Sequence, residues 1–291
     1  MCESVKLKFL ALLMLCCCFV GQANADTIPN VKNLRLSYSV YLGGLHAMDG
    51  VVGFTHSGSR YKIDLHTGTQ GLLRSIAPWD AEVVSNGRIR RADLRPSGSK
   101  VLTYWKDKPN SVNFAFSKNT IKATFNPPEG DSKNAPVPPE MKQGSLDPLS
   151  GVLQIIANTT YNDECNQTVP IYDGHRRFDL TLNNSGTEEL DGEGYSVFTG
   201  TAQRCIVDFK MLAGSRTDRE GSHFWQDGTD NNNLGRWGRS SRPPVYIFLG
   251  KVRDDLPELP VRAETSTVFG AIMVHLTKVE GGKGPTLIIP K

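Results

Sequence analysis

Leu34, Leu36, Tyr38, Val40 and Leu42 alternate with Arg35, Ser37, Ser39 and Tyr41. A period of two places the first set on one face of an extended chain and the second on the other, which is the pattern of a half-buried β-strand. Gly43-Gly44 interrupts it, Met48 to Phe54 carries the chain back, and after Ser57-Gly58-Ser59 the alternation resumes at Tyr61, Ile63 and Leu65. The opening therefore reads as an antiparallel meander. The same period returns at Val112, Phe114 and Phe116, at Phe178, Leu180 and Leu182, at Cys205, Val207 and Phe209, and at Val245, Ile247 and Leu249. Strand follows strand with few helices between, so the fold class is mainly β.

One helix is predicted over about residues 147–157. Asp147 is placed to cap the exposed amides, Pro148 suits the first turn, and Leu149, Val152, Leu153 and Ile156 fall on one face that packs on the sheet. Ahead of it, residues 126–142 hold five prolines and no periodicity, and read as an extended loop that separates two strand-rich halves of a single β domain over 26–291. The last long strand, Val268 to Val279, is apolar on both faces (Ile272, Val274 and Leu276 against Phe269, Ala271 and Met273), as for a strand covered on both sides, and is placed to close against the first strand. The expected architecture is a large antiparallel sheet curved into a half-barrel or β-spiral around one packed helix.

The N-terminus changes the compartment. Lys6 and Lys8 precede an apolar run from Phe9 to Val20 and then Ala23-Asn24-Ala25, the order of a signal peptide cleaved after Ala25. The run is too short for a membrane span, and no later run reaches spanning length, so no transmembrane segment is expected in the mature chain. Cys16, Cys17 and Cys18 offer lipidation as an alternative anchor. Removing residues 1–25 takes away Lys6, Lys8, Glu3 and four of six cysteines, leaving 31 basic and 29 acidic side chains, a net charge of +2. That balance argues against a nucleic-acid partner. Cys165 and Cys205 remain, and an even pair in an oxidising space is expected as a disulfide; metal binding is the competing reading, with no second Cys or His at ligand spacing.

Candidate chemistry is sparse. Asp173, Arg176, Arg177 and Asp179 form a dense charge cluster beside Gly174, fit either to grip an anion through arginine forks or to make a turn leading into a strand. Trp225 and Trp237 flank a polar loop and suit a sugar, a protein partner or core filling. His46, His56 and His66 recur every ten residues without guaranteed convergence. Asp227 to Asn233 is rich in oxygen ligands but lacks the spacing and closing Glu of a calcium loop. Ser222 beside His223 has no orienting acid in sight, and Asp254-Asp255, if extended, points to opposite faces. No nucleophile elbow, zinc-protease motif, Walker loop or complete dinucleotide fingerprint occurs, so no cofactor or metal is implied and no catalytic residue is assigned.

Tyr41-Leu42-Gly43-Gly44-Leu45, Thr67-Gly68 to Gly71-Leu72-Leu73, Asp147-Pro148-Leu149-Ser150, Asp173-Gly174-His175-Arg176-Arg177-Phe178-Asp179-Leu180 and Pro260-Val261-Arg262 to Gly270 resemble the bacterial domain-of-unknown-function family 3108. The resemblance spans essentially the whole mature chain, and leaves out Ser222 to Ser241. It implies an exported, mainly β protein of unsettled function. At the level of fold only, the pattern also looks like the curved, half-open sheets of periplasmic lipoprotein carriers. Two functions are then expected to compete. One is a periplasmic, non-catalytic envelope module that binds or scaffolds a lipid, a lipoprotein or another envelope protein in support of envelope integrity. The other is an envelope hydrolase or cell-wall glycan-acting protein.

Overall fold

The computed structural model describes residues 33–118, 120–128, 135–162, 165–192, 194–214 and 243–289. Alternation of small turns and apolar/polar strands gives β1 (Asn33–Leu42), β2 (Leu45–Ser57), β3 (Arg60–Thr69), β4 (Trp79–Arg90), β5 (Asp93–Trp105), β6 (Lys108–Phe116) and β7 (Ile121–Asn126). A second run gives β8 (Gln167–Tyr172), β9 (Arg177–Leu190), β10 (Gly200–Ala213), β11 (Val245–Gly250), β12 (Leu259–Thr267), β13 (Gly270–Gly281) and the two-residue β14 (Leu287–Ile288). Every pair is antiparallel, and the sheet order is β7-β6-β5-β4-β3-β2-β1-β13-β12-β11-β10-β9-β8, with β14 added beside β13. The two runs meet along β1 and β13, the expected junction, but the cover expected on both faces of the last strand fails at its start, where Val268 and Phe269 fall in the β12–β13 turn and stand in solvent with Ala271.

The sheet is open: β7 and β8 are its two edges and share no ladder. It curls nevertheless until those edges approach. Phe114 on β6 meets Tyr172 on β8 edge-to-face at 6.1 Å, and the Phe125 ring on β7 lies 4.7 Å from His175. Gly174, at φ +98°, sits where a Cβ would lie 3.2–3.4 Å from Val112, Phe114 and Phe125, so a residue without a side chain lets the β8–β9 turn approach the opposite edge.

Among the described residues three helices punctuate the chain: α1 (Gly71–Ile76), α2 (Pro139–Lys142) and α3 (Pro148–Asn162). α2 falls in the stretch read as featureless, because Pro138 and Pro139 fix the entry to a single turn. α3 lies inside the curl and packs on β8 and on β3, β4 and β5. It runs five residues past the expected end. Leu149, Leu153 and Ala157 sit in the main core with Leu34, Phe54, Ile63, Ile89 and Leu94, whereas Ile155 joins a second core with Val169, Ile171, Leu182 and the Cys165–Cys205 disulfide. The single apolar face predicted for the helix is thereby corrected. Val152 is 42% exposed, and burial follows two stripes because α3 is clasped between both arms of the curl. Gly151 supports the second stripe, since a Cβ there would come within 2.2 Å of Ile171 Cδ1.

The middle of α3 reaches the end of the curl at the β4–β5 turn. Gln154 accepts from Leu94 N–H at 3.3 Å and donates to Ala92 O, at the turn between β4 and β5. The β9–β10 connection folds back so that Phe198, a member of the main core, covers Gly250, and Tyr195 meets Tyr41 edge-on and lies tilted beside His275. Among the described residues no helix is long and apolar enough to cross a membrane.

Candidate functional site

The register of the first seven strands sorts the inner face into rows. Leu34, Phe54, Ile63, Ser85, Ser99 and Phe114 stand directly opposite one another across β1 to β6, and all are buried. The two serines answer α3. Asp147 accepts Ser150 N–H at 3.1 Å as the helix cap and Ser85 Oγ–H at 2.9 Å. Each hydroxyl has one proton, so with Ser85 committed to Asp147, Ser150 donates to Ser85 at 2.7 Å and Tyr61 donates to Ser150 at 2.9 Å. The Tyr61→Ser150→Ser85→Asp147 chain runs one way and ends on the carboxylate. Burial, with Asp147 nearby, pushes the Tyr61 hydroxyl up to about 12. The four groups are sealed from solvent, which makes them an anchor for the helix rather than a place for substrate.

One row further from the β4–β5 turn, Leu36, Val52, Leu65, Val83, Val101, Val112 and Phe125 face one another across β1 to β7. Every member is apolar, and all but Leu36 are only partly buried. At the usual interstrand spacing this band is about 28 Å long. It ends at the seam between the two edges, where a cavity of about 390 Å³ is lined by Ile121, Ala123 and Phe125 of β7, by Val137, and by Tyr172 and His175. Two cations stand at its margin, Lys122 and Lys142, the latter 5.1 Å from the centre of the Tyr172 ring. The arrangement is an apolar trough with a positively charged lip, which suits an amphiphile with an anionic head.

The charge cluster singled out in the sequence borders this seam, and its members are engaged with each other. Asp173 accepts from the backbone of His175 and Arg176 and pairs with Arg176 Nη2 at 2.7 Å. Arg177, nearly buried, pairs with Asp179 at 2.8 Å and donates to Met141 O at 3.1 Å. The cluster thus shapes the β8–β9 turn and ties it to α2. Its guanidiniums already hold carboxylates.

Other sequence candidates separate. His46 bonds Asp49 at 2.8 Å, His56 is buried on the inner face, and His66 is exposed with Asp64 3.9 Å away. No group of three potential ligands converges among the described residues. Burial lowers His56, whose Nε2 meets no partner, and lowers His275, with Arg262 adding to the effect. Asp255 accepts from the Lys283 amide, from Arg253 and from the Gly284 amide, which together pull its carboxyl below the ordinary range and leave it a loop clasp. Trp225, Trp237, the Asp227 to Asn233 run, Ser222 and His223, and the expected signal peptide with Cys16 to Cys18, lie outside the described residues.

Two arrangements escaped the sequence. Ser39, Asp49 and His46 meet on the outer face, but the carboxylate stands between the hydroxyl and the imidazole, 2.8 Å from each. A catalytic triad needs the imidazole in the middle, so no base acts on Ser39. The apolar band was also missed as a unit, because register across seven strands is not written in any one of them.

A family profile described as "Protein of unknown function (DUF3108)" matches residues 37–277. Among curated proteins nothing matches. Among solved structures, the chain is similar to a β-barrel-like protein of domain of unknown function DUF1849 from Brucella abortus, with TM-score 0.52 and 9% identity over 88% of this chain and 100% of that one. At that identity the likeness is one of fold.

Proposed function

Since the chain belongs to the DUF3108 family, whose description carries no activity, we propose on physical grounds that it is a non-catalytic module of the bacterial envelope that binds the acyl part of a lipid or lipoprotein. The partly open apolar band from Leu36 to Phe125, running into the seam cavity, is the observation that carries this reading. Folding normally buries such a row. Each partly exposed Val or Leu leaves transfer free energy of up to about 1.5 kcal/mol unrealised, which a hydrocarbon chain laid along the row would recover. The band is roughly twice the ~15 Å depth of one leaflet's chains, so it is long enough for an acyl group.

The compartment follows from the leader: export after cleavage at Ala25 puts the protein in the periplasm, beside lipoproteins in transit. Lys122 and Lys142 at the cavity margin favour a head group with negative charge. The competing hydrolase reading gains nothing from Asp173 and Asp179, because both carboxylates are spent on arginines.

Native mass spectrometry of protein purified from its own envelope, with extraction of bound material, tests the proposal. Lipid is expected to co-purify with the wild type and to be lost when Val83 and Val101 are both changed to Thr, a near-isosteric swap that makes the band polar. Wild-type protein free of lipid, and unable to take up a fluorescent fatty acid, would sink it.

A further inference from the structure

The outer face of the same strands carries the opposite pattern. Arg60 on β3 stands directly opposite Arg88 on β4, and Arg88 stands directly opposite Arg95 on β5. Lys62 and Arg90 flank this row two residues along their strands, and Arg91 follows in the turn with φ +53°. All six are exposed. Two carboxylates share the patch: Asp93, 2.9 Å from Arg95 with both side chains mostly in solvent, and Asp64, 3.9 Å from Lys62.

Like charges facing each other across an antiparallel pair destabilise it, and here that happens twice in one row. Asp93 and Asp64 offset it only at the margins, on Arg95 and Lys62. The side chains are exposed, so they cover no apolar surface, and Arg60 and Arg88 have no carboxylate partner among the described residues. The patch is also far more basic than the chain as a whole, whose formal charge is +3. A sheet that tolerates this repulsion is matched to negative charge supplied from outside.

We propose that the Arg60–Arg88–Arg95 face docks on the anionic phosphates of a phospholipid bilayer surface. The shape and chemistry select that occupant. The row lies on the convex side of the curl, on the face opposite the one that packs α3. None of the large exposed apolar side chains belongs to it, whereas a protein interface would be anchored by aromatic or aliphatic residues. Guanidiniums spaced about 5 Å apart across three strands present forks to several phosphates at once. This docking is independent of whether the inner band holds lipid.

Co-sedimentation of the full chain with vesicles tests it, using phosphatidylcholine alone or phosphatidylcholine doped with phosphatidylglycerol. The wild type is expected to bind only the doped vesicles and to be released by added salt. Each of Arg60→Gln, Arg88→Gln and Arg95→Gln should weaken binding about five-fold, and the triple variant about a hundred-fold, the equivalent of ~1 kcal/mol per basic residue. The thermal midpoint of the triple variant should hold or rise, because the repulsion is gone. Equal binding to both vesicles, unchanged binding of the triple variant, displacement by inorganic phosphate or duplex DNA as effective as by soluble phosphatidylglycerol, or a lowered midpoint of the triple variant would each overturn the proposal.

Discussion

Asp147 shows how much one side chain can hold. It caps α3 and terminates a hydrogen-bond chain through Ser85, Ser150 and Tyr61, all buried. Asp147→Ala removes the cap and strands a buried hydroxyl, so a loss of about 3 kcal/mol is expected in urea denaturation, against well under half of that for Asp147→Asn, which keeps an acceptor. His56 acts through pH. Its imidazole is buried without a partner at Nε2, and its folded pKa lies below the ordinary 6.5. Between the folded and unfolded values the unfolded chain binds more protons, so the stabilisation is fully present above pH 6.5 and is lost as pH falls through the folded value. His56→Gln should flatten the part of the acid-side decline in denaturation midpoint that His275, shifted the same way, does not account for.

At the scale of elements, the seam is held by few contacts. Arg177 links β9 to α2 through Met141 O and Asp179. Arg177→Ala is expected to cost about 2 kcal/mol, since it removes charge-assisted bonds from a nearly buried site. Were the cluster a ligand site instead, stability would stay level while binding fell, and calorimetry with and without fatty acid separates the two. The disulfide ties the approach to β8 to β10, across β9, at a sequence separation of 40. Cys165→Ser with Cys205→Ser should lower stability by about 4 kcal/mol in the chain-entropy picture, a change that chemical denaturation of the oxidised and variant proteins would register. Here the sequence was informative: Asp147-Pro148 marked the helix start, and Cys165 and Cys205, the two cysteines outside the expected leader, pointed to their pairing. It failed for α3's packing, because Val152 and Ile155 lie on a cylinder whose surroundings are set by two separate arms of the sheet.

At the scale of the molecule, curvature brings the open edges face to face without joining them, so the curl has an interior but no complete wall. α3 fills the end nearest the β4–β5 turn and leaves the next row of the inner face partly bare. The interior proposed to bind lipid and the basic convex exterior are then two faces of the same three strands, β3, β4 and β5. Their inward residues give the band and their outward residues the arginine row.

The alternation of apolar and polar side chains, with the Asp147-Pro148 pair, by itself determined that the described chain is a meander of antiparallel strands and where its long helix begins. Those properties depend on local period and on capping chemistry, which a few neighbouring residues specify. Only the tertiary structure decided that Leu36 and Phe125 lie on one band, that Arg60, Arg88 and Arg95 share one row, and that Asp173 to Asp179 is a clasp. Such properties depend on interstrand register and on the curl of the sheet, where residues far apart in the chain are set side by side by the sum of many pairings.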